Sequence, residues 1–163
     1  LELLKYLLKR YGHVSWERIL SGPGIRNIYE FLRDTRHAEE PKWLTEEIGH
    51  SHDVPALISQ HALEHKAPIC EQTMNLFASL YGAEAGNCAL KFMSLGGLYI
   101  GGIIAAKNLP LLQQPVFLES FRSKGRMQKL LEEMPVKVVL NDDAGIIGAA
   151  RYTLVQKAFG RRA

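Results

Sequence analysis

The chain has 163 residues, of which 47% are hydrophobic and 23% charged, and its formal net charge is +3. These proportions are typical of a globular domain with its own core and argue against overall disorder. The excess of 20 basic over 17 acidic residues is too small to predict nucleic-acid binding. No apolar run is long enough to cross a bilayer and no signal-peptide pattern is present. The sequence therefore predicts a cytoplasmic location and no membrane partner.

Amphipathic helices are predicted in the first third of the chain. Leu3, Leu4, Leu7 and Leu8 share one face of a first helix, which would end at Gly12. Because the first residue already lies inside this pattern, we expect the chain to be part of a longer protein.

Shorter elements follow the first helix. Ser15 has the features of an N-cap for a short helix over 16–20, which Ser21–Gly24 would end. A second core helix is predicted over 25–32. The polar stretch 35–49 is predicted to be an irregular surface segment.

Two longer helices occupy the middle of the chain. Asp53 is a candidate cap for a helix to about residue 66, and Pro68 opens a second helix to about residue 94. Gly82 and Gly86 give this second helix a small face, which predicts close packing against a sheet or another helix. Cys70 and Cys88 lie among its apolar residues and are expected to be reduced thiols.

The last third of the chain predicts two strands. Gly97–Gly101 is short, apolar and bounded by glycines, as in a buried parallel strand, and Val136–Leu140 is the second strand. Helical pieces are expected over 117–122 and 127–133, and Asn141–Asp143 would cap a last helix from 144 to about 158. Strand, helical crossover and strand indicate an α/β fold with a βαβ unit. The tail 160–163 is expected to be solvated.

Two features could bind a ligand, and each also has a purely structural interpretation. The glycines Gly101 and Gly102 after the first strand could form a plain tight turn, or bare backbone against a flat or phosphorylated ligand. Glu17 could be an exposed carboxylate at a helix start, or an acceptor of hydrogen bonds from a polar ligand.

The sequence does not predict a metal site or a nucleophile. His61 and His65 are spaced as a chelating pair could be, but no third ligand is obvious. Asn141–Asp143 fits a helix cap better than a magnesium site. There is no Walker A motif and no nucleophile elbow.

Four segments resemble the bacterial glucokinases, members of the hexokinase/actin-like ATPase superfamily. Gly12–Gly24 is similar to their G-H-V-S-x-E-R-(I/V)-L-S-G-P-G stretch, and Gly86–Leu90 to their G-N-L-A-L helix. Leu95–Ile103 resembles their G-G-(V/I)-(F/Y)-I-x-G-G-I adenosine motif, and Gly145–Gly148 their G-L-L-G helix start. The four segments occur in family order across essentially the whole chain.

The resemblance implies a fold, a reaction and a site. The fold would be the helix-rich C-terminal part of a ribonuclease H-like, actin-like ATPase domain, with 1–143 in the large domain and 144–163 a terminal helix returning to the small domain. The reaction would transfer the γ-phosphoryl of ATP, with Mg²⁺, to glucose. Glu17 would bind sugar hydroxyls, and Gly101 and Gly102 would lie against the adenosine and its phosphates.

The family segments that perform the transfer would lie upstream of residue 1. They include the D-G-G-T-N phosphate loop and the aspartate that resembles the general base, so no catalytic residue is expected in this chain and the fragment is expected to be inactive alone. Near the end, Asp142–Gly145 replaces the family's D-N-P-G. Two alternatives remain open: a stand-alone nucleotide-binding or interaction module, and a regulator that kept a kinase-like fold.

The last helix is expected to expose an apolar patch or to be covered in a homodimer. The residues of this expected patch are Ile146, Ile147, Tyr152, Leu154 and Phe159.

Overall fold

The computed structural model describes residues 1–159, with side chains described as far as residue 155. The tail 160–163 and the side chain of Phe159 therefore lie outside the described residues. The elements are α1 (Glu2–Tyr11), a 3₁₀ turn (Trp16–Arg18), α2 (Gly22–Asp34), α3 (Lys42–His50), α4 (Val54–Leu63), α5 (Pro68–Lys91), β1 (Leu98–Ile100), α6 (Ile103–Lys107), α7 (Leu109–Leu112), α8 (Pro115–Arg122), a second 3₁₀ turn (Gly125–Met127), α9 (Gln128–Glu132), β2 (Val136–Val138) and α10 (Ala144–Phe159).

The first two helices are bounded by local backbone chemistry. Gly12 ends α1 with φ 69° and donates its N–H to the Leu8 carbonyl, as expected for a glycine in the left-handed region. The helix α2 begins three residues earlier than predicted, because Ser21 caps it by accepting the Gly24 N–H at 3.0 Å. The Ser15 side chain, predicted as a cap, makes no capping bond to the 3₁₀ turn.

The long helix α5 is the centre of the core and packs against α2, α4 and α8. Phe77 and Met74 of α5 are buried, and the Tyr81 ring contacts the Phe117 ring of α8 edge to face at 5.9 Å. The predicted close approach at the small face is confirmed. An added Cβ at Gly82 would overlap the carbonyl oxygen of Phe117 in α8.

The two strands pair in parallel, with Leu98 opposite Val136 and Ile100 opposite Val138. Helices α6 to α9 occupy the chain between them. The predicted parallel strand is confirmed, but its predicted burial is wrong in part: Ile100 is 7% exposed, whereas Tyr99 is 63% exposed. In a strand, successive side chains point to opposite faces, and only one face of β1 is covered by the described residues.

The predicted irregular segment 35–49 is also wrong in part, because it contains α3. Leu44 is fully buried, and the Trp43 ring packs edge to face on His61 of α4 at 5.4 Å. The His61 Nε2 atom lies 3.0 Å from the Glu47 carboxylate, which joins α3 to α4. These tertiary contacts stabilise a helix whose polar composition gives little signal on its own.

The last helix, α10, confirms the expected apolar patch as far as its side chains are described. Every residue from 141 to 155 is exposed, including Ile146 at 74% and Leu154 at 69%. The Asn141 side chain accepts the Asp143 N–H at 2.9 Å, just before the helix begins. Within residues 1–159, no helix is both long and apolar enough to span a bilayer.

Candidate functional site

A cavity of about 590 Å³, here named cavity A, opens between α2, α4 and α6. This volume falls within the usual range for small-molecule sites. Its apolar wall consists of Ile25, Pro55, Ala56, Leu63, Ile103 and Ile104. Its polar lining consists of Asp53, Ser59, Gln60, Glu64, Lys107 and Asn108.

The double-glycine turn leads directly into the wall of cavity A. Gly101 follows β1, and Gly102 has φ 105°, a conformation that side chains other than glycine rarely adopt. An added Cβ on either glycine would meet no heavy atom within 4 Å, so the backbone borders open space. Counted from Gly96, the pattern G-G-(V/I)-(F/Y)-I-x-G-G-I has its unspecified position at Gly101 and its first turn glycine at Gly102, and this chain has Ile103 in place of the second turn glycine.

Glu17 lies in the first 3₁₀ turn and lines a second, more polar cavity of about 370 Å³, here named cavity B. The other residues of cavity B are Tyr11, His13, Ser15, Arg18, Ser21 and Pro23. Glu17 is exposed, and its carboxylate has no hydrogen bond or ion pair within the part of the chain that is described. It is therefore an available acceptor.

The turn that carries Glu17 is held by bonds to its backbone. Ser21 Oγ donates to the Glu17 carbonyl at 2.6 Å, and Asn27 Nδ2 donates to the Arg18 carbonyl at 2.8 Å. Asn27 is 4% exposed, and its Oδ1 accepts the Tyr11 hydroxyl at 2.8 Å. Both amide groups of Asn27 are thus satisfied, which fixes the turn between α1 and α2 while the Glu17 carboxylate stays free.

An ion-pair cluster beneath this region joins α1 to α2. Glu30 pairs with Arg10 and with Arg26, whose Nε lies 2.8 Å from the carboxylate. Burial alone would raise the pKa of Glu30, but the hydrogen bonds from Arg10 and Arg26 outweigh it and hold that pKa below its usual value. The carboxylate therefore remains charged inside the helix pair.

Cavities A and B share a thin wall at the start of α2. Gly22 lines cavity A, whereas its neighbours Ser21 and Pro23 line cavity B. Gly24 is required in this wall, because an added Cβ would overlap the Ile19 carbonyl. Sequence reasoning treated Ser21–Gly24 only as a helix break. The available signal was a serine cap followed by proline in the first turn, which is typical of a helix start.

The histidines do not converge on a metal site. His61 faces Glu47, whereas His65 Nδ1 lies 2.8 Å from the Glu71 carboxylate. Among residues 1–159, no three histidine, cysteine, aspartate or glutamate side chains form a group that could hold a metal ion. Burial raises the pKa of the Cys70 thiol to about 12, so this thiol is protonated at neutral pH.

The chain is thus a helix-rich α/β protein with two adjoining cavities, one next to a glycine turn and the other lined by an exposed carboxylate. Comparison with known proteins then identifies the particular family. The glucokinase family model matches residues 1–156, and the chain belongs to the glucokinase family.

Individual relatives agree with this assignment. A glucokinase of Nostoc punctiforme is 48% identical over 91% of this chain, and one of Neisseria meningitidis serogroup C is 36% identical over 90%. A crystal structure of a glucokinase from an Antarctic psychrotroph superimposes with a TM-score of 0.75 and 34% identity over 91% of this chain. The aligned part is 47%, 42% and 43% of those proteins, so the chain spans about half the length of the relatives it matches.

Proposed function

We propose that this chain is the part of a glucokinase that holds the nucleotide and one side of the sugar, for a reaction that converts ATP and glucose to ADP and glucose 6-phosphate. The observation that carries the proposal is the pair of cavities on the two sides of Ser21–Pro23. A phosphoryl donor and its acceptor must lie next to each other, because the transfer depends mainly on positioning.

The nucleotide is assigned to cavity A and the turn beside it. In this assignment the adenosine and its phosphates lie against Gly101 and Gly102, whose missing side chains leave the backbone open. The base would enter between the apolar side chains of α2, α4 and α6. Mg²⁺ would arrive with ATP and neutralise charge on its phosphates.

The sugar is assigned to cavity B. A free carboxylate is a strong acceptor for hydroxyl groups, so Glu17 would hold and orient the sugar through two of its hydroxyls. Removal of the proton from the attacking 6-hydroxyl is assigned to a general base outside this chain. Without that base we expect the chain to be inactive alone.

We assign the chain to an actin-like ATPase fold joined by a βαβ crossover, with 1–143 in the large domain and α10 within a segment, 144–163, that returns to the small domain. The exposed apolar side chains of α10 support a covered position for this helix in the whole protein or in a homodimer. The whole protein would act in the cytoplasm.

Nucleotide binding can be tested by replacing a glycine that has room for a side chain. Gly101 does not have a positive φ and borders open space, so Gly101→Val preserves the fold but fills the ligand's approach. Gly96→Val is the matched control, because Gly96 also borders open space but lies before the strand. In an NMR titration with Mg²⁺-ATP, we expect shifts at Ile103 and Ile104 in the wild type and in Gly96→Val, and none in Gly101→Val. Equal shifts in all three proteins would refute the assignment.

The activity of the chain is tested by glucose-dependent release of ADP. We expect none, and turnover at an ordinary kinase rate of about 1 to 100 per second would contradict the assignment of the general base to another part of the protein.

A second candidate is a stand-alone nucleotide-binding or interaction module. It requires only a nucleotide site, and cavity A has walls from three helices of this chain, α2, α4 and α6. The two candidates differ in what the gene encodes before Leu1. Phosphate loops in that upstream sequence would support the glucokinase, whereas a start codon at this point would support the module.

A further inference from the structure

The turn that carries Glu17 has little stability of its own. The 3₁₀ segment Trp16–Arg18 is three residues long, and 3₁₀ hydrogen bonds have poorer geometry than those of an α-helix. The Ser15 side chain makes no capping bond to this turn. The position of the Glu17 carboxylate in cavity B therefore depends on contacts from other elements.

Asn27 of α2 supplies such a contact from inside the core. It is 4% exposed, and its Nδ2 donates to the carbonyl of Arg18, the residue after Glu17, at 2.8 Å. Its Oδ1 accepts the Tyr11 hydroxyl at 2.8 Å. Turning the amide over would set Oδ1 against the Arg18 carbonyl oxygen, so the amide has one favourable orientation. Through this amide, α2 is bonded both to the turn and to the end of α1.

Tyr11 closes a loop of three residues. Its ring lies under the Arg18 guanidinium, with the guanidinium carbon 4.2 Å from the ring centroid, and its hydroxyl is bound to Asn27. Arg18 is thus held by its backbone and by its side chain, and both contacts lead to Asn27. Because Glu17 is bonded directly to Arg18, its backbone is held as well. Neither contact uses the Glu17 carboxylate, which stays free to accept hydrogen bonds.

Asn27 would act on a sugar only through this loop, since it does not itself line cavity B. We propose that Asn27 is a positioning residue that aims the Glu17 carboxylate at two hydroxyls of the sugar. This inference rests on the sugar site proposed above. Hydrogen bonds weaken steeply when their angles are poor, so a carboxylate that serves two hydroxyls at once needs a fixed backbone.

The proposal is tested by titrating the chain with D-glucose and following the Glu17 backbone amide by NMR. Asn27→Ala removes both bonds, and we expect it to raise the Kd for glucose about three- to tenfold, the usual value of one hydrogen bond. Before any sugar is added, the Ile19 and Leu20 amides should exchange faster with solvent in this variant. They donate to the Trp16 carbonyl at 3.0 and 2.7 Å, and their exchange reports the order of the turn.

A control variant separates positioning from a general loss of stability. Gly82→Ala strains the contact of α5 with α8 and lies outside the lining of cavity B. It should unfold more easily but keep the wild-type Kd for glucose and the wild-type exchange at Ile19 and Leu20. If Gly82→Ala lost as much sugar affinity as Asn27→Ala, the effect would be a general one and the proposal would be overturned.

Tyr11→Phe is a second variant, which keeps the ring under Arg18 but removes the hydroxyl bound to Asn27. It should raise the Kd for glucose by a smaller factor and speed amide exchange in the sugar-free protein, which a direct contact between Tyr11 and sugar would not do. Combined with Asn27→Ala it should add nothing, because both changes break the same loop. Additive losses in the double variant would overturn the proposal.

The outcomes separate this inference from the function on which it rests. If glucose produces no shift at Glu17 in the wild type, the sugar site falls and this inference falls with it. If glucose binds the wild type and a folded Asn27→Ala equally, only this inference falls. Where Asn27→Ala does not fold, Tyr11→Phe decides, and an unchanged Kd with unchanged amide exchange overturns the inference.

Discussion

The close packing of α5 on α8 predicts a large cost for a very small substitution. Gly82 and Gly86 of α5 lie against the Phe117 and Phe121 carbonyls of α8, and an added Cβ on either would fall well inside the 3.0 Å that real Cβ atoms keep. The added methyl group would collide with backbone atoms of α8, so a side-chain rotamer change cannot relieve the overlap. In Gly82→Ala the two helices must separate, which also loosens the buried rings of Phe117 and Phe121.

The expected magnitude follows from two opposing effects. Replacing glycine by alanine in a helix interior gains about 1 kcal/mol from helix propensity. Forcing a methyl group into a packed core costs about 1–3 kcal/mol, and a backbone collision belongs at or above the upper end of that range. We therefore expect Gly82→Ala to lose about 2 kcal/mol of the free energy of unfolding.

Urea unfolding provides the assay, with a control that changes the same residue type in the same way. A loss of about 2 kcal/mol moves the urea midpoint down by roughly 1 M for a typical m-value of about 2 kcal/mol/M. Gly49→Ala in α3 adds a methyl that meets nothing within 4 Å, and should raise stability by about 0.5 kcal/mol. If Gly82→Ala were as stable as the wild type while Gly49→Ala showed its expected gain in stability, the packing argument would be refuted.

Three further predictions use other parts of the chain. Glu30→Gln should cost about 1–2 kcal/mol at pH 7, since half-exposed Arg10 and Arg26 limit the value of the pairs. The folded pKa of Glu30 is lowered, so its contribution is present above pH 4.5 and lost as pH falls through that lower pKa. The urea midpoints of wild type and variant should then converge as the pH falls further below 4.5; a constant gap would contradict this. Ellman's reagent should modify the half-buried Cys88 in the native protein and reach the fully buried Cys70 only on unfolding, whereas two fast native thiols would show that the core around Cys70 opens. Ile146→Lys and Leu154→Lys should change the free energy of unfolding by less than about 0.5 kcal/mol, because both side chains are exposed, and sedimentation should show any self-association weakened. A larger loss would show that α10 packs on the rest of the chain.

Local signals in the sequence predicted most helices but not all. The helix α4 was found because Asp53 accepts the Ala56 N–H at its start, and the small face of α5 predicted its close packing. The helix α3 was missed because it is held by residues distant in the chain, such as the contact of Glu47 with His61. The burial of β1 was overestimated, since an apolar run does not reveal which neighbours will cover its outer face.

The candidate site was predicted in outline and missed in detail. Glu17 lines cavity B, and the Gly101–Gly102 turn borders open space just before the residues of α6 that line cavity A; the ligand roles of all three residues remain predictions. The wall at Ser21–Pro23 gave no signal in the sequence, because residue order does not reveal that two cavities meet at one turn.

The thin wall at Ser21–Pro23 has a consequence for how the two sites would communicate. Gly22 lines cavity A and its two chain neighbours line cavity B, so a ligand that moved Gly22 would shift residues bonded directly to it on the side of cavity B. Any change in sugar affinity caused by nucleotide must then be matched by an equal change in nucleotide affinity caused by sugar. Such reciprocity needs no moving domain, and three residues of backbone would be enough to produce it.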